Sequence, residues 1–244
     1  MGGFGAPRGP SRFCAGMESM EKITGEIFQV GGEGLSSPED AAIYLINFGG
    51  RAAFVDAGCG GSVERVLANV RALPAPPDGV DYILLTHCHF DHTGGANALR
   101  EATGARTVAH ELDARYLEDG DSEVTAASWY GRRMTAFPVD EKWSGSEREF
   151  PLGSGVVHAI HTPGHSPGSA VYWVESEGLK ALFGQDVHGP LHPSLLSERS
   201  DYIESLRLLL ELEADVLCEG HYGVIRGREE VRRFIRRFID AGLR

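Results

Sequence analysis

Cysteine is scarce and follows no pairing pattern. The chain holds four, at Cys14, Cys59, Cys88 and Cys218, and no two are spaced C-x-x-C. That excludes a small disulfide scaffold and a cysteine-built zinc finger, and it suits a reducing compartment, so the expected location is cytoplasmic. Long apolar runs are missing too: nothing approaches the ~18 apolar residues that cross a bilayer, and the N-terminus has no apolar core of a secretion signal. Positive charge is in deficit, with 23 Lys and Arg against 35 Asp and Glu and a net charge of −12. Such a surface repels polyanions, so neither nucleic acid nor an anionic membrane is an expected partner. The one basic concentration, Arg232, Arg233, Arg236 and Arg237, reads as a solvated helix face. Apolar residues are in normal supply at 42%, enough for a globular core.

Residues 1–20 are rich in Gly and Pro and read as a disordered tail, leaving 21–244 as one domain. Apolar runs at 27–30, 41–48 and 51–56 read as strands, the last two joined as a hairpin by Gly49-Gly50. Residues 62–73 carry Val63, Val66, Leu67 and Val70 at helical spacing, with Ser62 as the expected N-cap. The run 81–86 (DYILLT) reads as a buried strand ending on His87. Helices are expected over 95–102, 112–118, 122–134, 201–212 and 228–239, and strands over 106–109, 156–160, 170–174, 181–183 and 216–218. Early hairpins followed by βα units imply sheets covered by helices.

The chemistry is concentrated in His87-Cys88-His89-Phe90-Asp91-His92. Three imidazoles and a carboxylate within six residues form a donor set for zinc, iron or manganese. In extended backbone His87 and His89 project to one side and Cys88 to the other, where it packs. Gly94 and Gly95 allow the close backbone approach that Asp91 and His92 need to turn inward. A second cluster, HTPGHSPGS over 161–169, uses two prolines and two glycines to fix a tight loop around His165. Asp186 and His221 each follow a short apolar run, where loops carry function.

These pieces, together with Val55-Asp56-Ala57-Gly58, Gly184-Gln185-Asp186 and Gly220-His221, resemble the metallo-β-lactamase superfamily in kind and order. The resemblance implies an α+β fold, an αββα sandwich of two mixed β-sheets flanked by helices. It implies one metal on His87, His89 and His165, a second on Asp91, His92 and His221, and Asp186 bridging them. Zinc is the expected ion, with iron or manganese as alternatives. Asp56 is expected to orient the ligand loop without ligating, and His110 to stay out of the ligand set. The implied reaction is hydrolysis by a metal-bridging hydroxide, with Asp91 also orienting the nucleophile or shuttling a proton.

Departures narrow the branch. His89 stands where the flavodiiron branch has glutamate. The carboxylate at Asp186 is unlike the true β-lactamases. The 161–169 stretch is similar to glyoxalase II and to quorum-signal lactonases, although the 23 residues after His221 leave no room for a glutathione-binding extension. The expected substrate is a small ester, thioester or lactone. The alternatives are a mononuclear iron persulfide dioxygenase, a phosphodiesterase of the same fold, or a non-catalytic binding protein. His92 and His165 lie 73 positions apart. The extra segment, about 112–143, is expected to form a helical lid. Of its apolar residues Tyr116, Trp129, Tyr130, Met134, Phe137 and Trp143, Trp129, Tyr130 and Met134 are expected to meet substrate. His188 is expected to do so too, and His192 is a further residue placed to face the site. The only partners expected are a small-molecule substrate and a second copy of the chain in a homodimer.

Overall fold

The computed structural model describes residues 20–184 and 186–242. The tail expected over 1–20, apart from Met20, lies outside the described residues, as does Cys14.

Thirteen strands among the described residues form two sheets. The first holds β1 (Glu21–Lys22), β2 (Ile27–Gly31), β3 (Ile43–Phe48), β4 (Arg51–Val55), β5 (Gly79–Leu84), β6 (Arg106–His110) and β7 (Glu141–Trp143) in sequence order. Its early strands pair antiparallel, and β3 and β4 turn through Gly49-Gly50. From β4 to β7 the pairing is parallel. Parallel neighbours require crossovers, and α1 (Val63–Arg71), α3 (Ala96–Thr103) and α4 (Glu111–Asp119) supply them. The second sheet runs β13-β12-β11-β10-β9-β8, from β8 (Glu147–Leu152), β9 (Gly155–His161), β10 (Ala170–Ser176), β11 (Leu179–Phe183), β12 (Val216–Cys218) and β13 (Val224–Arg226). Only β11 and β12 pair parallel there, across α5 (Arg199–Glu211), and α6 (Arg228–Gly242) follows β13.

Three apolar layers result. Between the sheets, Tyr44, Ile46, Val55 and Leu84 meet Phe150, Tyr172, Val174 and Phe183. Outside the first sheet, Leu45, Phe54 and Ile83 pack against Val66, Val70, Leu99 and Leu117 of the helices. Outside the second, Val171, Leu182 and Leu217 pack against Ile203, Leu206, Val231 and Ile235. This is the αββα sandwich, and a strand buried on both faces explains why β4 and β5 read as continuous apolar runs. No described helix is long and apolar enough to cross a membrane.

The structure corrects three expectations. Residues 122–134 are not an α-helix; only a 3-10 turn, Ala127–Tyr130, forms. Short polar side chains compete for the backbone there: Asp121 Oδ1 accepts the amides of Glu123 and Val124, and Ser122 Oγ accepts that of Met134. The insertion is therefore helical only through α4. Met134 does not line a substrate pocket. It is 6% exposed and packs with Phe137 in the core outside the first sheet. Finally, Ser62 precedes α1 but makes no side-chain cap.

Candidate metal centre

The loops at one edge of both sheets converge on a buried polar cluster. Strand β5 ends at Leu84, and its continuation runs through His87 and His89 into the short helix α2 (Phe90–Thr93), which carries Asp91 and His92. Gly95 sits where a Cβ would overlap the carbonyl of Ala57. His165 comes from the turn between β9 and β10, Asp186 from just past β11, and His221 from just past β12. Gly164, before His165, has φ +123°, and a Cβ there would overlap the backbone of Tyr202 on α5. No other residue type fits that turn so close to the helix.

All seven residues named from the sequence come together. The donor atoms of His87, His89, His165 and Asp186 lie within 4.8 Å of one another, and so do those of Asp91, His92 and His221. Asp186 Oδ1 is 3.1 Å from His92 Nε2 and 3.4 Å from His221 Nε2, while its Oδ2 is 3.4 Å from His165 Nε2. Asp186 thus touches both groups.

The ring orientations are fixed from behind. Asp56 Oδ2 accepts a hydrogen bond from His92 Nδ1 at 2.7 Å. Thr86 Oγ1 donates to the same carboxylate, so it accepts from His87 Nδ1 at 2.9 Å. His165 Nδ1 donates to the carbonyl of Pro190 at 3.0 Å. With each Nδ1 occupied, Nε2 points inward. The Nε2 atoms of His87, His89, His92 and His165 and Oδ1 of Asp186 are buried without a hydrogen-bond partner. Buried polar atoms that converge unpartnered fit a cation, because hydrogen bonds elsewhere satisfy almost all such atoms.

Electrostatics agree. Burial, and then the neighbouring His92, push the pKa of His87 well down, and burial and His165 lower that of His89 to about 3. Both rings are neutral donors at pH 7. Burial opposes ionisation of Asp186, yet His92, His165 and His221 hold its carboxyl well below the usual range. Burial likewise opposes charge on His221, but Asp186 and Asp91 raise it to about 10. Asp56, Asp91 and Asp186 are all buried, and none forms an ion pair with Lys or Arg among the described residues. Buried carboxylates need a positive charge; a protonated His221 supplies it without a metal, and a cation on the inward nitrogens would supply it in that proton's place.

Further residues line or support the centre. Glu219 is fully buried. Its Oε1 accepts from His188 Nδ1 at 2.8 Å and its Oε2 from the amides of His221 and Tyr222. His188 stands 5.1 Å from His221, ring to ring, with its donor atom in reach of Asp186. Tyr130 packs on Phe90 at 5.8 Å, and burial together with Asp91 pushes its phenol up. Trp129 and His192 meet edge to face, with ring centroids 5.3 Å apart. His110 stacks on His161 instead, 3.9 Å away, and joins neither donor group. Sequence reasoning passed over Asp113, whose carboxylate accepts from the Cys88 amide (2.8 Å), Ser166 Oγ (2.5 Å) and the Gly168 amide (2.6 Å). It ties the first ligand loop to the His165 loop. Glu219, two residues before His221, had a sequence signal, and Asp113 had none.

A family model described as the metallo-beta-lactamase superfamily matches residues 37–221. A probable metallo-hydrolase of Methanocaldococcus jannaschii is 32% identical over 143 residues, 59% of this chain and 65% of that protein. An acyl-coenzyme A thioesterase of Gallus gallus is 29% identical over 226 residues, 82% of this chain and 78% of its own. The chain spans only 45% of a probable metallo-hydrolase of Bacillus subtilis, at 36% identity over 97 residues. Among solved structures, the FEZ-1 metallo-beta-lactamase from Legionella gormanii superposes with a TM-score of 0.74 at 17% identity, covering 93% of this chain and 94% of that one. At that identity the likeness speaks to the fold alone. The donor cluster, the sandwich and the match over most of its length agree that the chain belongs to the metallo-β-lactamase superfamily.

Proposed function

We propose that the protein is a metal-dependent hydrolase that holds two divalent cations, zinc first among them, and cleaves a small ester, lactone or thioester, with the thioester favoured. One observation carries this reading: four buried imidazole Nε2 atoms and a carboxylate oxygen converge without partners. Asp186 belongs to the first donor group, and its Oδ1 lies 3.1 Å from His92 Nε2 and 3.4 Å from His221 Nε2 of the second, which supports two cations. The thioester is favoured because similar proteins include an acyl-coenzyme A thioesterase of Gallus gallus and, at 25% identity, an atrochrysone carboxyl ACP thioesterase of Passalora fulva.

Cations held by these residues would supply Lewis acidity and activate water. The chain does the positioning. Asp56, Thr86 and the Pro190 carbonyl lock three rings in the tautomer that leaves Nε2 free. Asp91 Oδ2 lies 3.2 Å from His221 Nε2, and it would be the carboxylate to hold a proton for a water bound at the cations. Glu219 keeps His221 and His188 on that side.

Elemental mass spectrometry of the purified protein, joined to a thioester hydrolysis assay with and without chelator, tests this. About two cations per chain and chelator-sensitive turnover are expected. No metal after metal-replete expression would overturn the reading, and about one iron per chain with oxygen uptake would replace it.

A further inference from the structure

Besides the two donor groups that would hold two cations, a third converges on the same loops. Donor atoms of Asp186, His188 and His221 lie within 4.8 Å of one another. His188 belongs to neither of the other groups, yet it is held as a ligand is held. Its Nδ1 donates to Glu219 Oε1 at 2.8 Å, and that carboxylate is fully buried. A carboxylate behind one ring nitrogen fixes the tautomer that leaves the other as a lone-pair donor. Asp56 stands behind His92 in the same way.

Glu219 also sets the distance between the two histidines, because its Oε2 accepts the amide of His221. The His188 ring lies 5.1 Å from that of His221, and Tyr222 at 5.1 Å and Phe238 at 6.4 Å pack around it. Gly220 leaves room for Asp186 beside them, since a Cβ there would stand 2.5 Å from Asp186 Oδ1.

Exposure grades the donors from inside to outside. The side chains of His92 and Asp186 are 0% and 5% exposed, against 18% for His188 and 33% for His221. His87, His89 and His165 are buried. An ion arriving from water therefore meets His221 and His188 before it can reach His92. Asp186 joins the outer residues to the inner ones, with Oδ1 3.1 Å from His92 Nε2. A charge that leaves water for a buried site is costly unless it is paired, and three donors at the mouth would pair with it midway.

We infer that Asp186, His188 and His221 form a third cation seat on the solvent side of the centre, occupied in passing, through which the second cation enters and leaves the group of Asp91, His92 and His221. The inference rests on the metal-dependent reading above and adds an entry site to it.

The test follows zinc and needs no substrate. Apoprotein is mixed with zinc in a stopped-flow instrument against a chromogenic zinc indicator, and release is followed from the loaded protein into excess chelator. The phase that His221→Ala abolishes belongs to the second cation. In His188→Gln, whose amide can still donate to Glu219, uptake and release of that cation are each expected to slow about tenfold. A seat on the path lowers the barrier from both sides, so Kd is expected to stay within about twofold. A positioning role for His188 gives the opposite pattern, in which release alone quickens and Kd rises. That pattern overturns the seat, as does unchanged uptake, or a first phase slowed as much as the second. If the unaltered protein binds no zinc, the seat and the metal-dependent reading fall together. If it binds about two per chain at rates that ignore His188, the seat alone falls.

Discussion

Asp113 shows how much of a metal centre resides in residues that never touch the metal. Its carboxylate is fully buried on α4, yet it accepts hydrogen bonds from both ligand loops. Asp113→Ala would leave the Cys88 and Gly168 amides without this acceptor and Ser166 Oγ with Ser169 Oγ alone, releasing the His165 loop from the His87–His92 loop. Metal affinity is expected to fall about 10- to 100-fold, measured by competition with a chromogenic chelator. An unchanged affinity in a folded variant would show that Asp113 supports the fold and not the centre. Asp186 plays the opposite part, with both oxygens inside the cluster. Asp186→Ala is expected to lose at least one cation per chain and ~100-fold or more in turnover. Retention of both cations with full activity would sink its bridging role.

At the scale of elements, the edge of the first sheet is fastened by one carboxylate. Asp140 accepts two hydrogen bonds from Arg100 of α3 and one from the Thr107 amide of β6, just before β7 begins. Arg100, chiefly, lowers its pKa to about 2. A depressed carboxylate pKa adds stability that is complete above the unfolded value near 4 and is lost as pH falls through the folded value. Asp140→Asn is therefore expected to lose on the order of 1 kcal/mol at pH 7, after discounting for solvent at this exposed pair. The gap to the unaltered protein should close between about pH 4 and 2. Denaturant melts at pH 7, 4 and 2.5 would check it, and a gap independent of pH would rule out the ionic origin. Elements of this kind were also the hardest to read in advance. Strands buried on both faces announce themselves as apolar runs, as β4 and β5 did. Strand β8 (EREFPL) buries only Phe150 and Leu152, and β7 and β13 are three residues each, so their sequences look like loops. Edge strands carry polar residues to resist further pairing, and that hides them. The ligands were legible because the donor types cluster in short motifs. Asp113 was not, because its partners lie 25 to 55 residues away along the chain, where no local pattern points.

At the scale of the whole molecule, the donor groups belong to neither sheet. Each combines residues from the end of β5, in the first sheet, with residues from turns and strand ends of the second. Cross-sheet bonds crowd the same edge: Ala170 N to the Thr86 carbonyl, Ala42 N to that of Gly220, and Tyr44 Oη to that of Glu219. A cation held there binds the folded state and not the unfolded one. At a thousandfold excess over its Kd it would add about 4 kcal/mol, or on the order of 10 °C in Tm for a chain of this size. Calorimetry with and without chelator is expected to show that loss, and an unchanged Tm would mean that the cluster holds no tightly bound cation.

Because each donor group is completed only when the two sheets meet, docking of the layers and capture of the ion are linked equilibria, and linkage is reciprocal. The seam between the sheets is thus an affinity determinant at a distance. Tyr172, whose hydroxyl donates to the Leu85 carbonyl across that seam, lies outside both donor groups, yet whatever loosens its contact draws down the population able to hold an ion. Over generations, selection on metal retention would fall on the apolar middle of the sandwich as well as on the histidines at its edge.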